Sequence, residues 1–298
     1  MRNLKTRLLR IHSSVHAQME IKELYLKSRK SFEENGFECP GVETRAILAR
    51  SLGTDPLEFY AHPERRVDPE RAEAFEELLR RRLAGEPLAY VTGNREFCSR
   101  PFIVTRDVLI PRPETETLVE LAMKTAGRMK NPRILDLGTG SGCLAVTLAL
   151  EVRGCEVFAS DVSAAALGIA DRNARTHGAR VRFIRSDLLG CFAESSFDII
   201  ISNPPYVSEA EYAELSPQIR GYEPRTALLG GKDGLACIRE IATTAGTALR
   251  EGGFLLLEIG ASQAESAERI VRENGFSDIC FETDIGGIKR VVKAIWKK

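Results

Sequence analysis

From Arg133 onward the chain alternates short apolar runs with stretches of helical periodicity. That alternation restricts the fold to a mostly parallel sheet covered by helices on both faces. The runs are Ile134 to Leu137, Val157 to Ala159, Val181 to Ile184, Ile199 to Ile201 and Phe254 to Leu257. Helical periodicity fills the intervals up to Leu150, near residues 163–177 and near residues 234–250. A last run, Arg290 to Trp296, follows Gly286-Gly287 and reads as a strand lying antiparallel at the sheet edge. Residues 114–298 are therefore expected to form an α/β, Rossmann-like domain.

The preceding residues read differently. From Glu20 to Gly85 apolar side chains recur at three- and four-residue steps (Ile21, Leu24 and Leu26, Phe32, then Ile47, Leu48 and Leu52, then Phe75, Leu78, Leu79 and Leu83), which predicts a small helical bundle over 20–85. A bundle of that size suits recognition and not chemistry. Residues 86–113 break into short extended pieces (Tyr90 to Thr92, Glu96-Phe97, Phe102 to Val104, Val108 to Ile110) and read as a hairpin linker. It ends at Pro111-Arg112-Pro113, after which Glu114 and Glu116 open a helix whose apolar face is Leu118, Leu121 and Ala122. Residues 1–19 read as an N-terminal extension. Their stretch from Met1 to Gln18 lacks acidic residues, a composition shared with organellar transit peptides, although a frayed extension is the simpler reading.

Among the 298 residues, 42 Lys and Arg balance 42 Asp and Glu, so the chain has no overall basic surplus to neutralise nucleic-acid phosphates. No apolar run approaches the roughly 20 residues that span a bilayer. Seven cysteines, without a Cys-x-x-Cys, fit a reducing cytoplasm. The four histidines show no metal-binding spacing.

Two loops carry the chemistry. Gly138-Thr139-Gly140-Ser141-Gly142 lies where the first strand passes into its helix, and its glycines let backbone approach a ligand that a Cβ would repel. The pattern is Gly-x-Gly-x-Gly, with Cys143 where a dinucleotide fingerprint needs its third glycine, which points from NAD towards S-adenosylmethionine. Asp161 ends the second strand, 23 residues after Gly138, where its carboxylate could accept both ribose hydroxyls. The alternative role is to cap the next helix, a task Ser163 can perform instead. Asp187 could accept from the adenine amine, with Leu188 covering the ring, or could simply be a capping residue.

The second loop, Asn203-Pro204-Pro205-Tyr206, follows the strand Ile199 to Ile201 at the edge where open α/β sheets bind ligands. Consecutive prolines fix φ and remove two donors, leaving a rigid loop rich in acceptors. An amide nitrogen is a poor nucleophile, because its lone pair is delocalised, and must be held in line with the methyl group it receives. Asn203 Oδ1 and the Pro204 carbonyl can accept its protons, and the Tyr206 ring can lie on its flat face. The same geometry would serve an adenine amino group.

Four segments occur in one order: Ile110 to Glu116, the Gly138 loop, Asn203 to Tyr206, and Glu223-Pro224-Arg225-Thr226-Ala227-Leu228. Together with Gly85 to Gly93 and Gly287 to Val292, they resemble the peptide chain release factor N5-glutamine methyltransferases over about residues 20–296. The resemblance implies a class I S-adenosylmethionine-dependent methyltransferase domain preceded by a small helical domain that grips the substrate. It implies methylation of the glutamine in the Gly-Gly-Gln motif of class 1 release factors. By position, Gly138, Thr139, Gly140, Ser141, Gly142, Asp161, Asp187, Leu188 and Asn203 would hold the cofactor, and Asn203, Pro204, Pro205 and Tyr206 the glutamine. A monomeric, cytoplasmic enzyme that contacts neither nucleic acid nor membrane is expected.

The chain departs from the family's pattern at Glu86, where Gln is usual, and at Glu43-Thr44-Arg45-Ala46, where an Asp-Ala-Glu string is common. Three other functions share some of these features. An adenine amino-methyltransferase would use the same loop, and Arg80-Arg81-Arg82 could supply a local basic patch or be the solvated face of a helix. A ribosomal-protein glutamine methyltransferase would differ in its N-terminal domain. A non-catalytic cofactor-binding module would have little use for the rigid acceptor loop.

Overall fold

The computed structural model describes residues 19–54 and 58–297. Residues 1–18 of the expected extension lie outside the described residues. By compactness the chain divides into two units, one ending at Thr92 and the other beginning at Gly93.

The first unit is helical: α1 (Ile21–Glu34), α2 (Pro40–Leu52), α3 (Glu58–Ala61), α4 (Pro69–Leu83) and α5 (Leu88–Thr92). Prolines at the first position open α2 and α4, where the missing N–H is lost at no cost, and Gly53 closes α2 at φ +64°. Ile21, Leu24, Phe32, Ile47, Leu48, Leu52, Phe75 and Leu79 form one buried cluster, as their spacing predicts. Leu26 is not part of it: it lies on the outer side of α1 at 52% exposure. Tyr90 to Thr92 are helical and not extended. Pro87 starts that turn, its carbonyl accepting from Tyr90 and Val91, and burial of both side chains overrides their β-propensity.

In the second unit β1 (Asn94–Phe97) and β2 (Arg100–Ile103) make an antiparallel hairpin, while Val108 to Ile110 belong to no strand. After a 3-10 turn at Pro113–Thr115 comes α6 (Glu116–Ala126), and then the alternating part of the chain. Its elements are β3 (Arg133–Leu137), α7 (Cys143–Glu151), β4 (Glu156–Asp161), α8 (Ala164–His177), β5 (Val181–Arg185) and β6 (Phe197–Ser202). They continue with α9 (Glu209–Glu214), α10 (Pro217–Tyr222), α11 (Ala236–Ala248), β7 (Leu249–Glu258), α12 (Ala264–Glu273), β8 (Phe276–Thr283) and β9 (Lys289–Trp296).

The strands form one seven-stranded sheet in the order β5-β4-β3-β6-β7-β9-β8. From β5 to β7 neighbours are parallel, and β9 pairs antiparallel with both β7 and β8. Arg290 to Trp296 thus run antiparallel, but the edge belongs to β8. In that strand only Phe276 is buried, and the residues after it alternate between half-buried and exposed as far as Phe281, without the continuous apolar run of a central strand.

Side-chain alternation divides the core. Leu135, Leu137, Ile200, Leu255 and Leu257 face α11 and α12, and Ile134, Ile199, Ile201 and Leu256 face α6 and α7. The fold is Rossmann-like. Chain order reverses between β3 and β6, so the carboxyl ends of these two strands flank a crevice of the kind in which open α/β sheets bind ligands.

Candidate active site

The two loops meet at this reversal. Leu137 pairs with Ser202 across β3 and β6, so the Gly138 loop and Asn203 leave adjacent strands at the same level. The Ser202 hydroxyl donates to the Leu137 carbonyl at 2.6 Å and ties the strand ends together.

The glycine loop is held from beneath. Gly138 and Thr139 N–H groups both donate to the Ser160 carbonyl of β4 at 2.9 Å. Asp136, fully buried on β3, accepts from the Thr139 hydroxyl at 2.6 Å and the Ala145 N–H at 3.2 Å through Oδ2, while its Oδ1 has no partner among the described residues. Burial pushes the Asp136 carboxyl up to about 7 despite those two donors. Asn173 of α8 donates to the Ser141 carbonyl at 2.8 Å and exchanges hydrogen bonds with the Ile103 backbone at 2.8 and 3.0 Å, fixing the loop to the β1–β2 hairpin.

The three glycines differ in what surrounds them. At Gly138 and Gly140, with φ of +75° and +54°, an added Cβ would meet nothing within 4 Å, so open space lies against their backbones. At Gly142 it would come within 2.9 Å of Ala170 Cβ, so this glycine lets α7 pack on α8. Asp161 stands at the end of β4, half-buried, accepting from Gly140 N–H through Oδ2 and from Ser163 N–H through Oδ1, both at 2.9 Å. Ser163 itself caps α8, its hydroxyl accepting from Ala166 at 3.2 Å. Asp187 is exposed, and Leu188 holds φ +42°, a region that side-chain-bearing residues rarely adopt, with its side chain packed against the sheet core.

These residues suit an adenosyl sulfonium: open glycine backbone, a carboxylate at the next strand end and an orphaned buried acidic oxygen. Backbone and acidic groups can receive ribose hydroxyls and an amino group, and Leu188 offers apolar cover.

On the other loop, Pro204 is buried and Asn203, Pro205 and Tyr206 are half-buried. Asn203 Nδ2 donates to Thr115 Oγ1 at 3.1 Å. The Tyr206 carbonyl accepts from Gln263 Nε2 at 2.9 Å, anchoring the loop to the start of α12. Burial, reinforced by Glu258, pushes the Tyr206 phenol up to about 12, so it keeps its proton. Glu223, 1% exposed in its side chain, accepts from Arg112 at 2.6 Å and from the Ile110 N–H at 3.3 Å. That pair joins the Ile110-to-Glu116 and Glu223-to-Leu228 segments whose order the sequence shows without its cause.

Sequence reasoning passed over Thr115, Asn173 and Glu258 as site residues. Glu258 had a signal: a carboxylate directly after the apolar run Phe254 to Leu257, at the carboxyl end of its strand. Asn173 had none, because its partners are 32 and 70 residues away.

The chain matches the family models of the PrmC N-terminal domain over residues 23–93 and of the methyltransferase small domain over residues 113–217. It is 40% identical over 265 residues to the release factor glutamine methyltransferase of Geobacter sulfurreducens, which spans 89% of this chain and 93% of that one. To the Bordetella pertussis protein of the same name it is 43% identical over 253 residues, 85% of this chain and 93% of that one. Among solved structures, a methyltransferase from Pyrococcus furiosus has a similar fold, with TM-score 0.53 and 19% identity, covering 75% of this chain and 100% of that one. The protein is a methyltransferase, and its cofactor is S-adenosylmethionine. With relatives this similar over nearly their whole length, the chain belongs to the release factor glutamine methyltransferase family.

Proposed function

We propose that this chain methylates the side-chain amide nitrogen of the glutamine in the Gly-Gly-Gln motif of class 1 peptide chain release factors. One observation carries the reading beyond family membership: Asn203 donates its NH2 group to Thr115, which leaves Oδ1 as an acceptor at the strand end beside the glycine loop.

S-adenosylmethionine supplies a methyl group already activated on its sulfonium. The glycine loop and Asp161 hold that cofactor, Asp161 through the ribose hydroxyls, with Asp187 and Leu188 at the adenine. Asn203 Oδ1 and the Pro204 carbonyl accept the two N–H bonds of the glutamine amide, which fixes the direction of its nitrogen. Tyr206 lies on the flat face of the amide as a neutral phenol. Pro204 and Pro205 keep both acceptors rigid, so their placement is settled before substrate arrives.

The helical unit is assigned to gripping the release factor. Its charge pattern favours a protein partner over a nucleic acid, since each guanidinium of Arg80-Arg81-Arg82 meets a carboxylate. Arg80 pairs with Glu77, Arg81 with Glu86 and Arg82 with Glu43. Glu86 and Glu43, the latter the first residue of the departing Glu43-to-Ala46 string, are thus ion-pair partners of this run. We further assign the enzyme to the cytoplasm as a monomer: its cysteines are unpaired, no helix of the described residues is long and apolar enough to cross a membrane, and its large exposed apolar side chains are few.

The test is incubation with radiolabelled S-adenosylmethionine and three acceptors: a class 1 release factor, the same factor with Gly-Gly-Ala, and duplex DNA. Label on the intact factor alone is expected. Label on DNA alone would move the function to adenine.

A further inference from the structure

Resting on the glutamine-methylating reading above, we infer that Gln263 is a positioning residue that holds the Asn203-to-Tyr206 loop at the level of the glycine loop, through the Tyr206 backbone carbonyl. A loop of this kind has to be fixed at both ends, because Pro204 and Pro205 have no N–H with which to tie down its middle. The leading end continues β6, where Ser202 pairs with Leu137. The trailing end leaves the sheet, so its hold comes from elsewhere in the chain.

That hold is a turn, residues 228–235, laid against the loop. Val207 N–H donates to the Leu228 carbonyl and Gly230 N–H to the Val207 carbonyl, both at 2.9 Å. The approach is so close that a Cβ added at Gly230 would strike the Pro205 carbonyl oxygen. One added at Gly234, which holds φ +75°, would strike the Tyr206 carbonyl oxygen and come within 2.7 Å of Gln263 Nε2. The Tyr206 and Gly234 carbonyls thus converge on one side chain. Gln263 Nε2 donates to both, at 2.9 and 3.2 Å, and Oε1 accepts from Gly260 N–H at 2.9 Å, just past the end of β7.

All three partners are backbone groups of fixed polarity: an N–H only donates and a carbonyl only accepts. The Gln263 carboxamide therefore has one orientation, and its base is held as firmly. Its own N–H donates to the Gly260 carbonyl at 3.0 Å and its carbonyl accepts from Ala267 N–H at 2.8 Å, so the side chain springs from the start of α12. With φ fixed at Pro204 and Pro205, a shift at Tyr206 is carried back to the Pro204 carbonyl and Asn203, the acceptors assigned to the substrate amide. At 7% exposure Gln263 is a buried polar residue placed where its three hydrogen bonds join the loop, the turn and the end of β7.

The test compares Gln263→Leu, which removes donor and acceptor together, with Gln263→Glu. Gln263→Leu should lower kcat on the release factor about tenfold or more, since a displacement on the order of 1 Å in the acceptors is enough for such a loss. The calorimetric Kd for S-adenosylmethionine should stay within about twofold of wild type, because the glycine loop leaves a different strand.

In Gln263→Glu an ionised carboxylate can accept from Gly260 but repels both carbonyls, whereas the protonated form can donate to one of them. Its kcat relative to wild type should therefore rise severalfold from about pH 8 to about pH 6, within the range to which burial raises a carboxyl. The same ratio for Gln263→Leu should stay flat, a difference that a merely structural role would not give. Glu211, Lys232, Asp233, Arg239 and Arg269 line the cleft beside Gln263, and Glu258 ends the neighbouring β7. All six are common to wild type and variants, so their titration cancels in the ratio.

Full kcat in Gln263→Leu, a loss matched by an equal loss of cofactor affinity, or a Gln263→Glu ratio that does not rise with acid would overturn the inference while leaving the proposed function standing. A wild-type enzyme that leaves the release factor unlabelled would overturn both. The cofactor titration on each variant shows that it has folded, and Gln263→Glu decides the matter if Gln263→Leu does not fold.

Discussion

The Glu258 carboxyl is pushed up to about 7 chiefly by burial, from the 4.5 of an exposed glutamate, with hydrogen bonding from Thr115 and the charge of Arg290 opposing. Between those two pH values the folded chain holds a proton that the unfolded chain releases, so folding stability contributed here is full below about 4.5 and lost as pH rises through about 7. For a shift of this size the loss approaches roughly 3 kcal/mol. Glu258→Gln should flatten the stability profile by up to that amount, measured by denaturant unfolding at about pH 5 and about pH 8. An unchanged difference between the two pH values would contradict the buried, protonatable carboxyl.

At the same scale, Asn203→Ala should lower turnover about a hundredfold, on the order of 3 kcal/mol, with cofactor affinity little changed. Near-normal single-turnover methylation would remove Asn203 from the chemistry. Asp161→Ala should weaken S-adenosylmethionine binding by roughly 1.5–3 kcal/mol, read by calorimetry, and an unchanged Kd would reduce Asp161 to its two backbone contacts with Gly140 and Ser163.

Elements set what these residues can reach. In the proposed site the Gly138 loop serves as cofactor cradle as well as packing joint, and its glycines should separate experimentally. Gly142→Ala forces a Cβ against Ala170 at φ +80° and should destabilise the fold by about 1–3 kcal/mol in thermal or denaturant unfolding. Gly138→Ala meets open space and should cost less in stability but more in cofactor affinity. Equal effects of the two on both readouts would contradict this division of labour.

Strands β3, β4, β6 and β7 and helices α7, α8 and α11 were legible in the sequence because burial on both sheet faces writes an apolar run for each strand and a 3.6-residue rhythm for each helix, whereas β5, an edge strand without a buried residue, was legible through Val181, Phe183 and Ile184. β8 was not, since an edge strand open to solvent from Ser277 to Glu282 carries a mixed pattern. The short helices α9 and α10 follow the Asn203-to-Tyr206 loop without a buried residue between them, and so leave no periodicity to read. Tyr90 and Val91 misled for the opposite reason: their β-propensity is real, and burial in a helical unit outweighs it.

For the whole molecule, the collinear motifs carried the family, and the balanced charge fits the ion pairing of Arg80, Arg81 and Arg82. What remained illegible was the connection between motifs. Thr115 and Asn203 are 88 residues apart, and Arg112 and Glu223 are 111 apart, contacts that only the folded chain creates.

The most direct measurement of the central claim is tandem mass spectrometry of a class 1 release factor after incubation with the enzyme and S-adenosylmethionine. We predict a single methyl group, located on the side-chain nitrogen of the Gly-Gly-Gln glutamine. A methyl group on any other residue, or an unmodified factor beside an enzyme that binds its cofactor, would contradict the account.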